Sequence, residues 1–101
     1  MEQKSIVYRL VGEALLLGAD EMNVEYKDGV EWVFAMRNNA GASFAQFDTS
    51  SPEAASLRKE LRRLARKKKE RFRIGEAEYE LRTTVFDSFG EDEFRVKLRR
   101  I

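Results

Sequence analysis

The sequence predicts an α+β fold in which two helices pack on one face of a mostly antiparallel sheet of five to six strands. Two segments repeat apolar residues at the spacing of a helix, and several others alternate apolar and polar residues as strands do. These segments follow one another as helix, two or three strands, helix and three strands, without a linker. We expect residues 1–101 to form a single domain, because two cores of about 50 residues would each bury too little surface.

The first helix is predicted over residues 4–17. Lys4 or Ser5 lies near its start, and Gly18 suits its end because glycine adopts the left-handed conformation that closes a helix. Its apolar residues recur every three or four positions and form one wide stripe. These residues are Ile6, Val7, Leu10, Val11, Ala14, Leu15 and Leu17.

A β-hairpin is predicted next, because residues 22–26 alternate in polarity and Lys27-Asp28-Gly29 has the composition of a tight turn. A second turn is expected over residues 38–42, followed by a third strand that begins near Phe44 and Phe47. The second strand is expected to direct its bulky side chains into the core. These side chains are Val30, Trp32, Phe34 and Met36.

The second helix is predicted to begin within Thr49–Glu53, because serine caps free amide groups, proline is tolerated in the first turn and Glu53 lies near the positive helix end. Residues 53–73 carry ten Lys or Arg and only three Asp or Glu, although the net charge of the chain is +1. The predicted apolar stripe consists of Ala54, Leu57, Leu61, Leu64 and Ala65, with Phe72 as a further candidate. The other faces carry Arg58, Lys59, Arg62, Arg63, Arg66, Lys67 and Lys69.

Three more strands are predicted around residues 71–74, 78–83 and 94–99, separated by turns at Gly75-Glu76 and over residues 86–90. If the last turn centres on Ser88 and Phe89, the register follows from antiparallel pairing. The expected pairs are Glu80 with Lys97, Glu78 with Arg99, Arg82 with Arg95 and, on the inner side, Leu81 with Val96.

The expected neighbours Arg82 and Arg95 carry the same charge, which costs energy unless an anion or another carboxylate lies between them. A functional interpretation is a surface that meets a partner's phosphate or carboxylate, since a planar guanidinium binds both in bidentate geometry. The alternative is an ordinary solvated strand face, because exposed ion pairs contribute only ~0–1 kcal/mol.

The amino-acid composition excludes several kinds of catalytic and metal site. The chain has no cysteine and no histidine, which removes disulfides, thiolate and histidine metal sites, and nucleophile systems that depend on histidine. We expect no catalytic residues, cofactor or metal. A cluster of carboxylates without the calcium-loop signature is interpreted as solvated turn residues. The cluster consists of Asp20, Glu21, Glu25, Asp28 and Glu31.

The apolar runs are shorter than the roughly 18 residues that a membrane span needs. The start, Met-Glu-Gln-Lys-Ser, does not have the shape of a signal peptide. A cytoplasmic location without membrane insertion is therefore expected.

The order of motifs resembles the N-terminal domain that precedes the motor domain in type II secretion and type IV pilus assembly ATPases. That family has a Gly-Ala-Ser-Asp-Ile-His-Ile-Glu-Pro motif, and residues 18–26 stand in its place. The resemblance continues through Asp28-Gly29 and an alternating strand, Arg71-Phe72-Arg73-Ile74, Glu80-Leu81-Arg82-Thr83-Thr84 and Gly90-Glu91 before the final strand. It covers about residues 5–101.

This chain also departs from the family. Asn23 replaces the histidine, the arginine-rich second strand is lost, and no Gly-x-x-x-x-Gly-Lys-Ser/Thr phosphate loop is present. The resemblance implies a non-catalytic module that docks on a motor domain or another machinery subunit. Arg82 matches an arginine that reaches toward the nucleotide phosphates held by the motor. The expected contacts are Arg82, Arg95 and Lys97, at an edge of the sheet.

A competing hypothesis is a small nucleic-acid-binding protein that uses the basic helix 58–69. Its contact residues would be Arg58, Arg62, Arg63, Arg66 and Lys67, which could neutralise backbone phosphates without sequence preference. The near-zero net charge does not favour this hypothesis. Docking of the same helix to an acidic protein and a merely solvated helix face remain open alternatives, as does the oligomeric state.

Overall fold

A computed structural model describes residues 5–88 and 90–101. Six strands form one antiparallel sheet in the order β3-β2-β1-β6-β5-β4. The elements are α1 (Ile6–Leu16), β1 (Glu21–Lys27), β2 (Val30–Arg37), β3 (Ala40–Asp48), α2 (Pro52–Lys67), β4 (Lys69–Ile74), β5 (Ala77–Ser88) and β6 (Glu91–Arg100). The predicted α+β fold is confirmed.

Both helices begin at serine caps. The Oγ atom of Ser5 accepts a hydrogen bond of 2.8 Å from the amide of Tyr8, and that of Ser51 accepts one of 3.1 Å from Ala54. The carboxylate of Glu60 on α2 also accepts a 3.0 Å bond from the amide of Val7, so α2 caps the free end of α1. The predicted helix starts are confirmed, except that Lys4 lies outside the described residues.

The core lies between the helices and one face of the sheet. Met22 on β1 lies opposite Val96 on β6, and both side chains are fully buried. Opposite residues of an antiparallel pair share a face, so the register extends this buried face across the central strands. The core between the two layers includes Val7, Leu10, Val11 and Ala14 from α1, Leu57, Leu61 and Leu64 from α2, and Met22, Val24, Val33, Leu81, Phe94, Val96 and Leu98 from the strands.

The prediction that β2 directs its bulky side chains into the core is wrong. Val33 is fully buried, and Ala35 packs against the core on the same face. Val33 lies opposite Val24, a core residue, so the register leaves the other alternating set on the helix-free face. The covered set also contains the charged residues Glu31 and Arg37, whereas the other set is wholly apolar, so alternation alone indicates the wrong face. The misassigned residues are Val30, Trp32, Phe34 and Met36, all partly exposed.

The turn between β2 and β3 is shorter than the predicted five residues. Asn38 and Asn39 have φ angles of 53° and 64° and form the connection, while β3 already begins at Ala40. Asparagine tolerates this left-handed conformation better than most residues, which is why two consecutive asparagines close the hairpin. The pairing of β3 with β2 shifts register between Val33 and Phe34, which leaves Phe44 as a bulged residue.

The observed register of the β5–β6 hairpin differs from the predicted register by two residues. β5 extends to Ser88 and β6 starts at Glu91, so the connection is shorter than the predicted 86–90 turn. Gly90 has a φ angle of 81°, which suits the turn, whereas Phe89 lies outside the described residues. Glu80 therefore lies opposite Arg99, Arg82 opposite Lys97, Thr84 opposite Arg95, Leu81 opposite Leu98 and Thr83 opposite Val96.

Helix α2 also ends earlier than predicted. Its last residue is Lys67, Lys68 has a φ angle of 69°, and Lys69 is the first residue of β4. Phe72 is therefore a strand residue, and its ring stacks on that of Tyr8 at a centroid distance of 6.2 Å.

A buried ion pair fixes α2 on the sheet. Nη1 of Arg58 lies 3.1 Å from Oε2 of Glu31 on β2, and Glu31 is only 3% exposed. The hydroxyl of Thr49 donates to the same carboxylate at 3.2 Å, and Nη2 of Arg58 donates to the Thr49 carbonyl oxygen at 3.3 Å. The interpretation of Glu31 as a solvated turn residue is therefore wrong, because its charge is used to hold the helix.

Removing Arg58 should destabilise the fold more than removing an exposed arginine of the same helix. Arg58→Ala leaves the Glu31 carboxylate buried without its cation and should lower the free energy of unfolding by about 2–3 kcal/mol. Arg62→Ala is the control, because the Arg62–Asp92 pair is about half exposed and should change it by only ~0–1 kcal/mol. Guanidinium unfolding of both variants measures the difference, and equal effects would contradict the role assigned to Arg58.

Candidate functional site

The helix-free side of the sheet, called here the open face, carries the alternate residues that do not enter the core. On β4, β5 and β6 these residues are mostly charged, and on β2 they are mostly aromatic or aliphatic. The predicted contact residues Arg82, Arg95 and Lys97 all belong to the open face. The expectation that they lie at a sheet edge is wrong, because β5 and β6 are interior strands.

Three cations form a row across the open face. Lys69 on β4 lies opposite Arg82 on β5, which in turn lies opposite Lys97 on β6. All three side chains are exposed. Cβ atoms of directly opposite residues are about 4.5–5.5 Å apart, so like charges in such a row repel one another. Two carboxylates adjoin the row: Glu80 lies 3.9 Å from Arg82, and Glu21 on β1 lies opposite Lys97 at the end of the row. We call Lys69, Arg82 and Lys97 the cation row.

Arg95 occupies a different position from the one predicted. It lies opposite Thr84 and Asn23 rather than opposite Arg82. Its guanidinium carbon is 4.6 Å from the ring centroid of Phe86, and its Nε lies 3.7 Å from a carboxylate oxygen of Glu93. Stacking on an aromatic ring holds the guanidinium in place while it stays exposed. Arg95 is thus a fixed positive charge next to the cation row.

Two buried polar atoms on the open face have no hydrogen-bond partner within the described part of the chain. They are Oδ1 of Asn23, whose residue is 8% exposed, and Nε1 of Trp32. Leaving such a group unsatisfied costs about 1–3 kcal/mol. Asn23 lies between Arg95 and Phe34 in the ladder, so the unsatisfied oxygen lies at the border of the charged and aromatic halves.

Sequence reasoning missed Asn23 and assigned Trp32 to the core. The available signal for Asn23 was a small amide in the middle of the alternating run 22–26, on the set opposite Met22 and Val24. Asn23 becomes informative only once the helices are known to cover the face that carries Met22 and Val24.

Glu25 lies beside the aromatic half of the open face, opposite Trp32. Burial raises the pKa of its carboxyl group above the ordinary value, the nearby carboxylate of Glu93 raises it further, and Arg95 opposes the change. Acidic groups therefore border Trp32, whereas cations border Arg82.

The basic helix face is mostly occupied by internal contacts. Arg62 lies 3.4 Å from Asp92 on β6, and Arg63 and Lys67 lie 3.4 and 3.1 Å from the same oxygen of Glu70 on β4. Although burial raises the pKa of Glu70, the hydrogen bonds from Lys67 and Arg63 hold it below its usual range. Together with the Arg58–Glu31 pair, four of the five predicted helix contacts join α2 to the sheet. Arg66 alone has no ion pair within residues 5–88 and 90–101.

Two further expectations can be compared with the described residues. Among them, no three Asp or Glu side chains come close enough to hold a metal ion. Neither helix of this part of the chain combines the length and the apolar character that crossing a membrane requires.

Comparison with known proteins gives no match to any family model and no match to a curated protein sequence. The resemblance to the secretion and pilus ATPases therefore stays a prediction based on residue order.

Replacing Glu25 by Gln should stabilise the protein at neutral pH only. A raised pKa in the folded state means that ionisation of Glu25 opposes folding, so the penalty is absent below the unfolded-state pKa near 4.5 and is complete above the folded-state pKa. Thermal melts should show a higher Tm for Glu25→Gln at pH ~7 and no gain at pH ~3.5. Glu76→Gln, at an exposed turn residue, removes the same charge and is the control. An equal gain in both variants would refute the local explanation.

Proposed function

We propose that this protein is a non-catalytic docking module whose open face binds a motor domain or another subunit of a secretion or pilus-assembly machine. The observation that carries the proposal is the cation row of Lys69, Arg82 and Lys97 on a sheet face that neither helix of the described residues covers. The row is charged and exposed, and strand pairing fixes the order of its side chains.

The cation row is adapted to an acidic partner surface. Three like charges on neighbouring strands repel one another in the free protein, and carboxylates or phosphates of a partner would replace this repulsion with attraction. Arg82 and Arg95 also have guanidinium groups, which bind carboxylates in bidentate geometry.

The aromatic half of the open face favours a protein over a nucleic acid. Trp32, Phe34 and Met36 offer a partly exposed apolar area, which is typical of the centre of a protein interface. Glu25 lies opposite Trp32 and close to Glu93, so a base stacked on Trp32 would bring its phosphate near carboxylates. A protein surface with mixed charge can complement both halves.

The resemblance gives the proposed partner its identity. Arg82 stands where the secretion and pilus ATPases have an arginine that reaches toward nucleotide phosphates held by the motor. Because the chain contains no phosphate loop, the proposed role is to contact a motor and not to act as one.

Charge reversal on the open face should weaken binding to such a motor. Arg82→Glu combined with Lys97→Glu should raise the Kd for a purified secretion- or pilus-type ATPase motor domain from the same organism at least tenfold, about 1.4 kcal/mol. Isothermal titration calorimetry measures the change. The matched control is Lys59→Glu with Arg66→Glu, which reverses one lysine and one arginine at exposed positions of α2. Equal loss in both double variants, or none in either, would contradict docking through the open face.

A second candidate is binding of single-stranded nucleic acid on the same face. The observation that favours it is that Trp32, Phe34 and Phe86 share the open face with the cation row, since aromatic rings beside cations form stacking platforms for bases.

Electrophoretic mobility of DNA and RNA oligonucleotides across salt concentrations separates the candidates. The docking proposal predicts no retardation at moderate salt. If Arg82→Glu with Lys97→Glu abolishes a retardation, the open face binds nucleic acid and not a protein. If a retardation is lost only on charge reversal at Arg62, Arg63, Arg66 and Lys67, the basic helix is the surface that binds nucleic acid.

A further inference from the structure

The two edges of the sheet differ in how they are protected. An edge strand presents unpaired N–H and C=O groups, and most proteins guard such strands with charge or proline. The edge strand β4 carries Lys69, Glu70, Arg71 and Arg73 among its six residues. The other edge strand, β3, has no proline, and Asp48 at its end is its only charged residue. The β3 edge is therefore open to another strand.

The first half of β3 is the most accessible part of this edge. Residues 40–43, Ala-Gly-Ala-Ser, are all exposed and small, so their backbone can be approached closely. They still pair regularly with β2, since Ala42 lies opposite Ala35 and Gly41 opposite Met36. A bulge can protect an edge by bending it away. The bulged residue Phe44 follows residues 40–43, which stay regular, and lies between them and residues 45–47.

An apolar groove runs beside the same half of β3. It has a volume of about 430 Å³ and lies between the end of α1 and the strand, with Leu17, Ala19, Ala35, Ala42 and Phe44 in its walls. Leu17 is 63% exposed, and the neighbouring Leu16 is 89% exposed. Large apolar side chains at such exposure are the expected surroundings of a contact site. A strand added to β3 could insert a side chain into this groove.

We propose that a second copy of this chain occupies the β3 edge, so that two β3 strands pair antiparallel and the sheet continues through both copies. The argument for a second copy is self-complementarity. Each β3 has a first half of small residues, 40–43, and a second half that contains Phe44 and Phe47. A two-fold axis between residues 43 and 44 places the second half of β3 in one copy against the first half of β3 in the other.

The groove and the charges fit this arrangement. Phe47 lies opposite Glu31, a core-face residue, and therefore projects on the helix side of the sheet, where the groove lies. Phe47 packs against the core of its own copy and is partly exposed. In the pair, its exposed part would lie opposite Ala40 of the other copy, which lines the groove. Because residues 40–47 are uncharged, no like charges face each other across the axis. The interface does not use the cation row, so the proposal is independent of the docking function.

Sedimentation velocity over a wide concentration range tests the proposal. The wild-type chain should show a reversible monomer–dimer equilibrium. Ser43→Lys places two like charges at the axis and should weaken the dimer at least tenfold, whereas Ser56→Lys, the same change at an exposed position of α2, should not. Far-ultraviolet circular dichroism checks that both variants are folded. A wild-type chain that stays monomeric, or a dimer that Ser43→Lys does not weaken, would overturn the proposal.

Cross-linking decides the question if Ser43→Lys does not fold. The chain has no cysteine, so Ser43→Cys introduces a single thiol near the proposed axis. Oxidation should give a disulfide-linked dimer from Ser43→Cys and much less from Ser56→Cys. Equal yields from the two variants would exclude pairing of β3 with its own copy and would leave this edge to an extended strand of another protein.

Discussion

The structure depends on the burial of one sheet face beneath two helices. Side chains such as Leu10, Leu61 and Phe94 are almost wholly buried between the layers, and each contributes about 1.5–3 kcal/mol of apolar transfer free energy. Helices of 11 and 16 residues form a single layer on a six-stranded sheet. The other face is therefore left uncovered by the described residues, and its side chains are available for function.

The charges of the molecule divide into two groups by the same geometry. Four basic residues of α2 contact Glu31, Asp92 and Glu70 on the sheet and so position the helix. Those of the cation row project from the opposite face, where strand pairing brings like charges together. A count of basic residues along the chain points to the helix, whereas their contacts point to the open face.

The sequence was sufficient to predict the elements and the layer arrangement, because the periods of apolar residues are clear in both helices and most strands. It could not assign the faces of β2, because the buried set that contains Val33 also carries the charged Glu31 and Arg37, whereas the set that contains Trp32 is wholly apolar. The register of the last hairpin depended on whether the turn includes Ser88 or Gly90, and a one-residue error moved the partner of Arg82 by two. The Arg58–Glu31 contact joins residues 27 positions apart, and no local pattern indicates it.

Lysine footprinting tests the central claim most directly, because lysines lie on both sides of the molecule. Acylation followed by mass spectrometry would compare the free protein with the protein saturated by a secretion- or pilus-type ATPase motor domain. If the open face is the docking surface, Lys69 and Lys97 lose reactivity in the complex while Lys59 on α2 keeps it. Protection of Lys59 with unchanged reactivity at Lys97 would show that the helix side binds the partner and would contradict the account.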